Sequence, residues 1–180
     1  THTMGTIVGV EPDGSHAIGV APGARWIAVK VFTDDGQSTD SAILRGFQWI
    51  MLPTDLRGTR PDPSKAPDIV SNSWGSEIGS DITFLQAVRA WRAAGILPVF
   101  AAGNEGPGPG TVGSPGSLAD SLAVGAVDSR DQIANFSSRG PSPWGEIKPE
   151  VVAPGVDIYS AVPNGGYERG WHGTSMATPH

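Results

Sequence analysis

The 180-residue sequence has no cysteine. Disulfides, thiolate nucleophiles and cysteine-based zinc sites are therefore excluded within it. It also lacks a basic cluster. Its Lys and Arg total 12 against 18 Asp and Glu, giving a net charge of -6 and a pI near 5.0. Nucleic acid is not an expected partner of such a chain. Long apolar runs are missing too. A stretch such as Ile96 to Ala102 is far shorter than the roughly 20 residues that span a bilayer, so no membrane partner is expected. Histidine is scarce, confined to His2, His16, His172 and His180. No glycine run has the Gly-Lys-Ser/Thr ending of a P-loop or the spacing of a dinucleotide fingerprint, which disfavours a nucleotide-binding domain. The hydrolase elbow G-x-S-x-G is absent as well, because Ala177 stands where its second glycine would be.

Glycine (25) and proline (16) are in surplus instead. That surplus belongs in loops, where sites are built on a rigid scaffold. Apolar, β-rich runs alternate with amphipathic stretches. Arg25 to Phe32 reads as a buried strand, Pro67 to Asn72 as a second, Ile96 to Phe100 as a third and Ser121 to Val127 as a fourth. Ser38-Thr39-Asp40 offers an N-cap for a helix over Ser41 to Met51, with Ile43, Phe47 and Ile50 on one side. Ser80 or Asp81 caps another, striped by Phe84, Leu85, Val88 and Trp91 and closed by Gly95. Val151 to Gly155 and Asp157 to Ser160 look like short extended pieces near a sheet edge. Pro53 to Ala66 reads as an exposed excursion. The alternation predicts an α/β fold: three layers, a mostly parallel sheet with helices on both faces. Both ends read as cut, so the fold is expected to be incomplete at each, a partial catalytic domain over residues 1–180.

In such sheets, sites form beyond the carboxyl ends of the strands. Asp35 to Ser38, Ser73-Trp74-Gly75 and Ala101 to Gly106 are expected to converge there. Ser175 sits between Gly173 and the opening of a helix, near unpaired N–H groups that favour developing negative charge. An ordinary N-cap serine would look similar, but Gly173 permits unusual backbone angles and Thr174, Ala177 and Thr178 leave room for a substrate. Asn104, between Gly103 and Glu105-Gly106, is either a turn asparagine or an amide aimed at an oxyanion. A serine nucleophile needs a base, normally histidine. His172 and His180 are too close in sequence to Ser175 for easy triad geometry, and His16 lies in a Pro/Gly-rich loop.

Four ordered motifs carry a family resemblance. Gly173 to His180 resembles the nucleophile signature of the subtilisin-like serine proteases. Ala101 to Gly106 resembles their oxyanion segment, Ser73-Trp74-Gly75 their substrate-binding strand, and Thr1 to Thr6 the back half of their histidine motif. His2 matches the second, structural histidine of that motif and not the catalytic first. No aspartate here matches the family's aspartate motif.

The resemblance implies a secreted, monomeric endopeptidase acting on polypeptides without a cofactor in its chemistry. Ser175 would attack the scissile carbonyl, with its own N–H and the Asn104 amide in the oxyanion hole. Gly36, Gln37 and Ser38, with Ser73, Trp74 and Gly75, would flank an extended substrate by strand addition. Ala101, Ala102, Gly103 and Gly113 would wall a wide pocket for the residue before the cut, with Glu105 at its rim. Trp74 and Ile43 would shape a more distant apolar subsite. Ser114-Pro115 is implied to be cis. The resemblance also admits a structural calcium in the Val10 to Ile18 loop, with Glu11 and Asp13 as oxygen ligands; the alternative reading of that loop is an ordinary Pro-Asp-Gly turn. Without base and acid, these residues alone are expected to be inert. The alternative is a peptide-binding module that keeps the cleft without the chemistry.

Overall fold

The computed structural model describes residues 1–11 and 13–180; Pro12, part of the expected calcium loop, lies outside them. Four parallel strands make the central sheet in the order β1 (Ile69–Asn72), β2 (Leu97–Ala101), β3 (Leu122–Val127), β4 (Val151–Pro154). The register pairs Asn72 with Phe100 and Phe100 with Ala123. Side chains alternate faces along a strand. Phe100 therefore points to one layer while its neighbour Val99 points to the other.

On the Phe100 face lie α2 (Asp40–Met51) and α3 (Leu85–Ala93). Thr39 caps α2, its hydroxyl accepting the Ala42 N–H, and the helix turns Ile43, Phe47 and Ile50 inward. Phe47 stacks on Trp91 at 4.0 Å between centroids, and the Trp91 indole N–H donates to the Phe47 carbonyl at 3.0 Å. The expected side-chain cap of α3 is displaced. Asp81 accepts the Thr83 N–H one turn early, and Phe84 occupies the N-cap without a side-chain bond.

On the opposite face, α4 (Thr174–Ala177) packs Ala177 against Val99, Val124 and Ala126. A short α1 (His2–Val8) leans on a separate antiparallel hairpin, β5 (Ile158–Val162) with β6 (Gly166–Trp171). The three-layer α/β arrangement is thus present, though only the β1–β2 crossover is a helix of the sheet.

One expected strand is not formed. Arg25 to Phe32 joins no ladder, and Trp26, Val29 and Lys30 are exposed. A strand is defined by its ladder, and composition cannot supply the neighbour. Ile27, Val31 and Phe32 still pack on the core, so the segment keeps its inward face without joining the sheet.

Candidate active site

Three chain segments meet at the carboxyl ends of β1 and β2. Ser73-Trp74-Gly75 leaves β1, Ala101 to Glu105 leaves β2, and Gly173 to Met176 arrives from the far end of the chain. Gly173 has φ +146, a conformation that favours glycine, and its N–H donates to the Gly155 carbonyl at 2.9 Å. That bend starts α4 with Thr174 buried and Ser175 half exposed.

Thr174 fixes Asn104. Its backbone N–H (2.9 Å) and its hydroxyl (3.1 Å) both approach Asn104 Oδ1. With the amide oxygen held at the back, the NH2 end is turned the other way. The Asn104 residue is exposed and lines the same cleft as Ser175. Ser175 is held reciprocally by Ser73. Ser175 Oγ donates to the Ser73 carbonyl at 3.2 Å, and Ser73 Oγ donates to the Ser175 carbonyl at 2.8 Å. Among the described residues the Ser175 N–H has no hydrogen-bond partner, and neither do the backbone groups of Trp74 and Gly75.

The cleft has a volume of about 170 Å³. Trp74, Gly75, Ala101, Ala102, Gly103 and Gly113 line it together with Asn104, Glu105, Thr174 and Ser175, as do Ser76 and Glu77. The two glycines are also required by packing. A Cβ on Gly113 would collide with the Ser76 carbonyl, and one on Gly103 with the Glu105 carboxylate and Ser138. Close packing against these neighbours thus accounts for glycine at both positions, which also line the cleft. Ser138 braces the turn: its hydroxyl accepts the Glu105 N–H (3.1 Å) and donates to Glu105 Oε2 (2.9 Å).

Gly36, Gln37 and Ser38 do not line this cleft. Their loop closes on itself through Thr33, and Ser38 Oγ donates to the Val31 carbonyl. Its link to the site is Phe32, edge-on to Trp74 at 6.1 Å. Ile43 is a core residue, 8% exposed, with little surface for a subsite. The Ser114–Pro115 peptide is cis, as the motif implied.

No histidine nitrogen among the described residues bonds Ser175 Oγ. His2 shares a second hollow with Ser175, but its ring is buried and stacked on Trp171 at 4.6 Å. Burial pushes its imidazole below the ordinary 6.5, against the opposing pull of the Ile158 carbonyl. His180 is likewise lowered by burial, and its Nδ1 pairs with the Met176 carbonyl. His172 Nδ1 accepts the Asp157 N–H, and His16 is exposed beside Ser15. In the Val10 to Ile18 loop, Glu11 and Asp13 both turn to Ser15 Oγ. No group of three or more acidic, histidine or cysteine side chains that could hold a metal occurs among the described residues.

The bracing role of Thr174, and Ser138 altogether, are what sequence reasoning missed. Their bonds join positions about 70 and 33 apart, and neither composition nor periodicity encodes such pairs.

Comparison with known proteins gives one family. Residues 1–180 match the subtilase family, peptidase S8. Bacillopeptidase F of Bacillus subtilis (strain 168) is 53% identical over 184 aligned residues, covering 100% of this chain and 13% of that protein. Subtilisin DY of Bacillus licheniformis is 37% identical, covering 100% of this chain and 59% of its own length. The solved structure of sphericase superposes with a TM-score of 0.82 at 34% identity, over 100% of this chain and 59% of that one. The chain therefore spans less than two thirds of the relatives it matches.

Proposed function

Because this chain belongs to the subtilase family, we propose that it is the part of a serine endopeptidase that carries the nucleophile and the oxyanion hole. The observation behind this reading is the Thr174 clamp, which leaves the Asn104 amide and the Ser175 hydroxyl on one cleft. An extended polypeptide lies along Trp74 and Gly75, whose unpaired backbone groups accept it as an added strand. The side chain before the cut enters between Ala101–Gly103 and Gly113. Glu105 at the rim favours a basic residue there beside large apolar ones.

Ser175 Oγ adds to the scissile carbonyl carbon and its proton passes to a histidine base. That base lies outside these 180 residues, in the motif of which His2 is the second histidine. The carbonyl oxygen gains the negative charge, and the Ser175 N–H and Asn104 Nδ2 donate to it. Collapse expels the amine, which takes the proton back from that histidine, and leaves an acyl-enzyme that water hydrolyses. Secretion belongs to the same proposal. No described helix is long and apolar enough to cross a membrane.

The test is Ser175→Ala in the intact protein. Peptide hydrolysis and covalent labelling by a fluorophosphonate should both vanish; removing the serine of a subtilisin lowers kcat about 2 × 10⁶-fold. Unchanged turnover in the variant would refute the assignment. Tight peptide binding without turnover or labelling in the unmodified intact protein would favour the binding-module reading.

A further inference from the structure

Leu56 is fully exposed. A single exposed leucine says little, but its setting says more. It lies between α2 and β1, where every residue from Asp55 to Arg60 is exposed. That tip is closed chiefly by one side chain. Asp55 Oδ1 accepts the Arg57 N–H at 3.0 Å and the Thr59 N–H at 2.9 Å, and Asp55 Oδ2 accepts the Thr59 hydroxyl at 2.9 Å. The Asp55 N–H donates to the Thr59 carbonyl and the Gly58 N–H to that of Asp55. Water replaces each of these exposed bonds, so the tip opens at low cost and leaves the core undisturbed. Below it the loop is fastened. The Asp62 N–H donates to the Pro53 carbonyl at 2.8 Å, and the Trp49 indole to Thr54 Oγ1 at 3.0 Å.

The opened tip has the chemistry of a substrate for the cleft. Strand addition uses the N–H groups of the incoming chain, and no proline occurs from Thr54 to Arg60, between Pro53 and Pro61. Leu56 supplies a large apolar side chain for the pocket between Ala101–Gly103 and Gly113. Other exposed aliphatic side chains are tied to the core. Ile147 adjoins Lys148, whose side chain is 1% exposed. Ile78 and Ile82 flank a turn whose Gly79 and Asp81 carbonyls accept the Ser117 and Ser114 hydroxyls. The tip does not line the cleft of its own molecule. It precedes the amino end of β1, whereas the cleft lies beyond the carboxyl end.

We propose that Leu56–Arg57 is a self-cleavage site, cut by the cleft of a second copy of the protein; this rests on the peptidase reading. The Leu56 carbonyl acylates Ser175 of the second copy and the Arg57 nitrogen leaves as the amine. Water then frees the Leu56 carboxylate. The cut chain stays assembled, because Phe47 of α2 remains stacked on Trp91 and β1 remains paired with β2.

The experiment uses the intact Ser175→Ala protein, which cannot cut itself, as substrate for a trace of the unmodified protein. Denaturing mass spectrometry follows the mixture. Within residues 1–180 the first cut should fall at Leu56–Arg57, at an initial rate proportional to the concentration of unmodified protein. Native size-exclusion should show no loss of mass. Asp55→Ala in the substrate frees the tip and should speed the cut about fivefold, since cleavage follows the open population. Leu56→Asp removes the apolar side chain and should slow it about tenfold or more. A first cut at any other bond within residues 1–180, or an unchanged rate in either variant, overturns the proposal. If Ser175→Ala does not fold, unmodified protein inactivated by a fluorophosphonate is the substrate, and the same cut is expected. A peptide anilide separates the two readings. Its hydrolysis with Leu56–Arg57 left intact overturns this proposal alone; no hydrolysis of either overturns the peptidase reading with it.

Discussion

Removal of the Thr174 hydroxyl tests how far one clamp governs Asn104, the proposed oxyanion donor. Thr174→Val keeps the shape and deletes one oxygen. That oxygen lies 3.1 Å from Asn104 Oδ1, 3.2 Å from the Gly103 carbonyl and 3.3 Å from the Gly103 N–H. A hydroxyl has one proton, so it serves only one of the two acceptors at a time. The backbone N–H of Thr174, closer at 2.9 Å, stays in place. The variant therefore loses one long, shared bond on Asn104, worth about 1 kcal/mol net. That converts to roughly a fivefold fall in kcat. Complete removal of the donor is costlier: in the subtilisin case itself it amounts to about 2.7–4 kcal/mol. Steady-state kinetics on a peptide anilide should thus give, in the intact protein, Thr174→Val about fivefold slower with KM unchanged. Asn104→Leu should be slower by about 100-fold or more. Adding Thr174→Val to Asn104→Leu should cost no further kcat, because the hydroxyl acts through the amide. A Thr174→Val loss as large as that of Asn104→Leu, or full additivity of the two, would refute the clamp.

Three further outcomes follow from the geometry. Gly113→Ala drives a Cβ into the Ser76 carbonyl and should cost about 1–3 kcal/mol by denaturant titration, with KM rising as the cleft wall shifts. Trp91→Phe leaves the buried Phe47 carbonyl without its indole donor and should cost about 1–3 kcal/mol, read as a lower Tm with near-normal kinetics. The lowered His2 pKa sets a pH dependence. The unfolded chain takes up a proton near 6.5 while the folded ring resists it, so this stability is complete above 6.5 and declines as pH falls toward the lowered folded value. Thermal melts from pH 7.5 to 5.5 should show that decline, reduced but not abolished in His2→Phe because His180 is lowered in the same sense. An unchanged slope in His2→Phe would contradict the assignment to His2.

Elements whose stability is local were readable from residue order. The α2 stripe of Ile43, Phe47 and Ile50 and the Thr39 cap lie within one dozen residues, so periodicity carried them. β1, β2 and β3 were legible as apolar runs bounded by glycine or polar residues. Arg25 to Phe32 has the same composition and fails as a strand, since pairing depends on what lies beside it in space. β6 went unread because Gly-Tyr-Glu-Arg-Gly-Trp has no apolar alternation. Its signal was the turn before it, where Asn164 and Gly165 both take positive φ, as a tight hairpin demands. For the site, the cleft-lining residues were legible as ordered motifs. Gly36 to Ser38, expected beside the substrate from the topology and the resemblance, is not among the cleft-lining residues, and its local bonds to Thr33 and Val31 were not legible in the sequence. The braces from Thr174 and Ser138 were not legible, because each links segments that only folding brings together.

The paired serines at the mouth of β1 have a consequence for timing. Ser175 Oγ donates its hydrogen bond to the Ser73 carbonyl, so in the proposed mechanism that bond must break, by a turn of the hydroxyl about Cβ–Oγ, before the proton can pass to a base. The return bond from Ser73 Oγ to the Ser175 carbonyl is independent of that turn, so the start of α4 stays tied to the end of β1 when the hydroxyl is released.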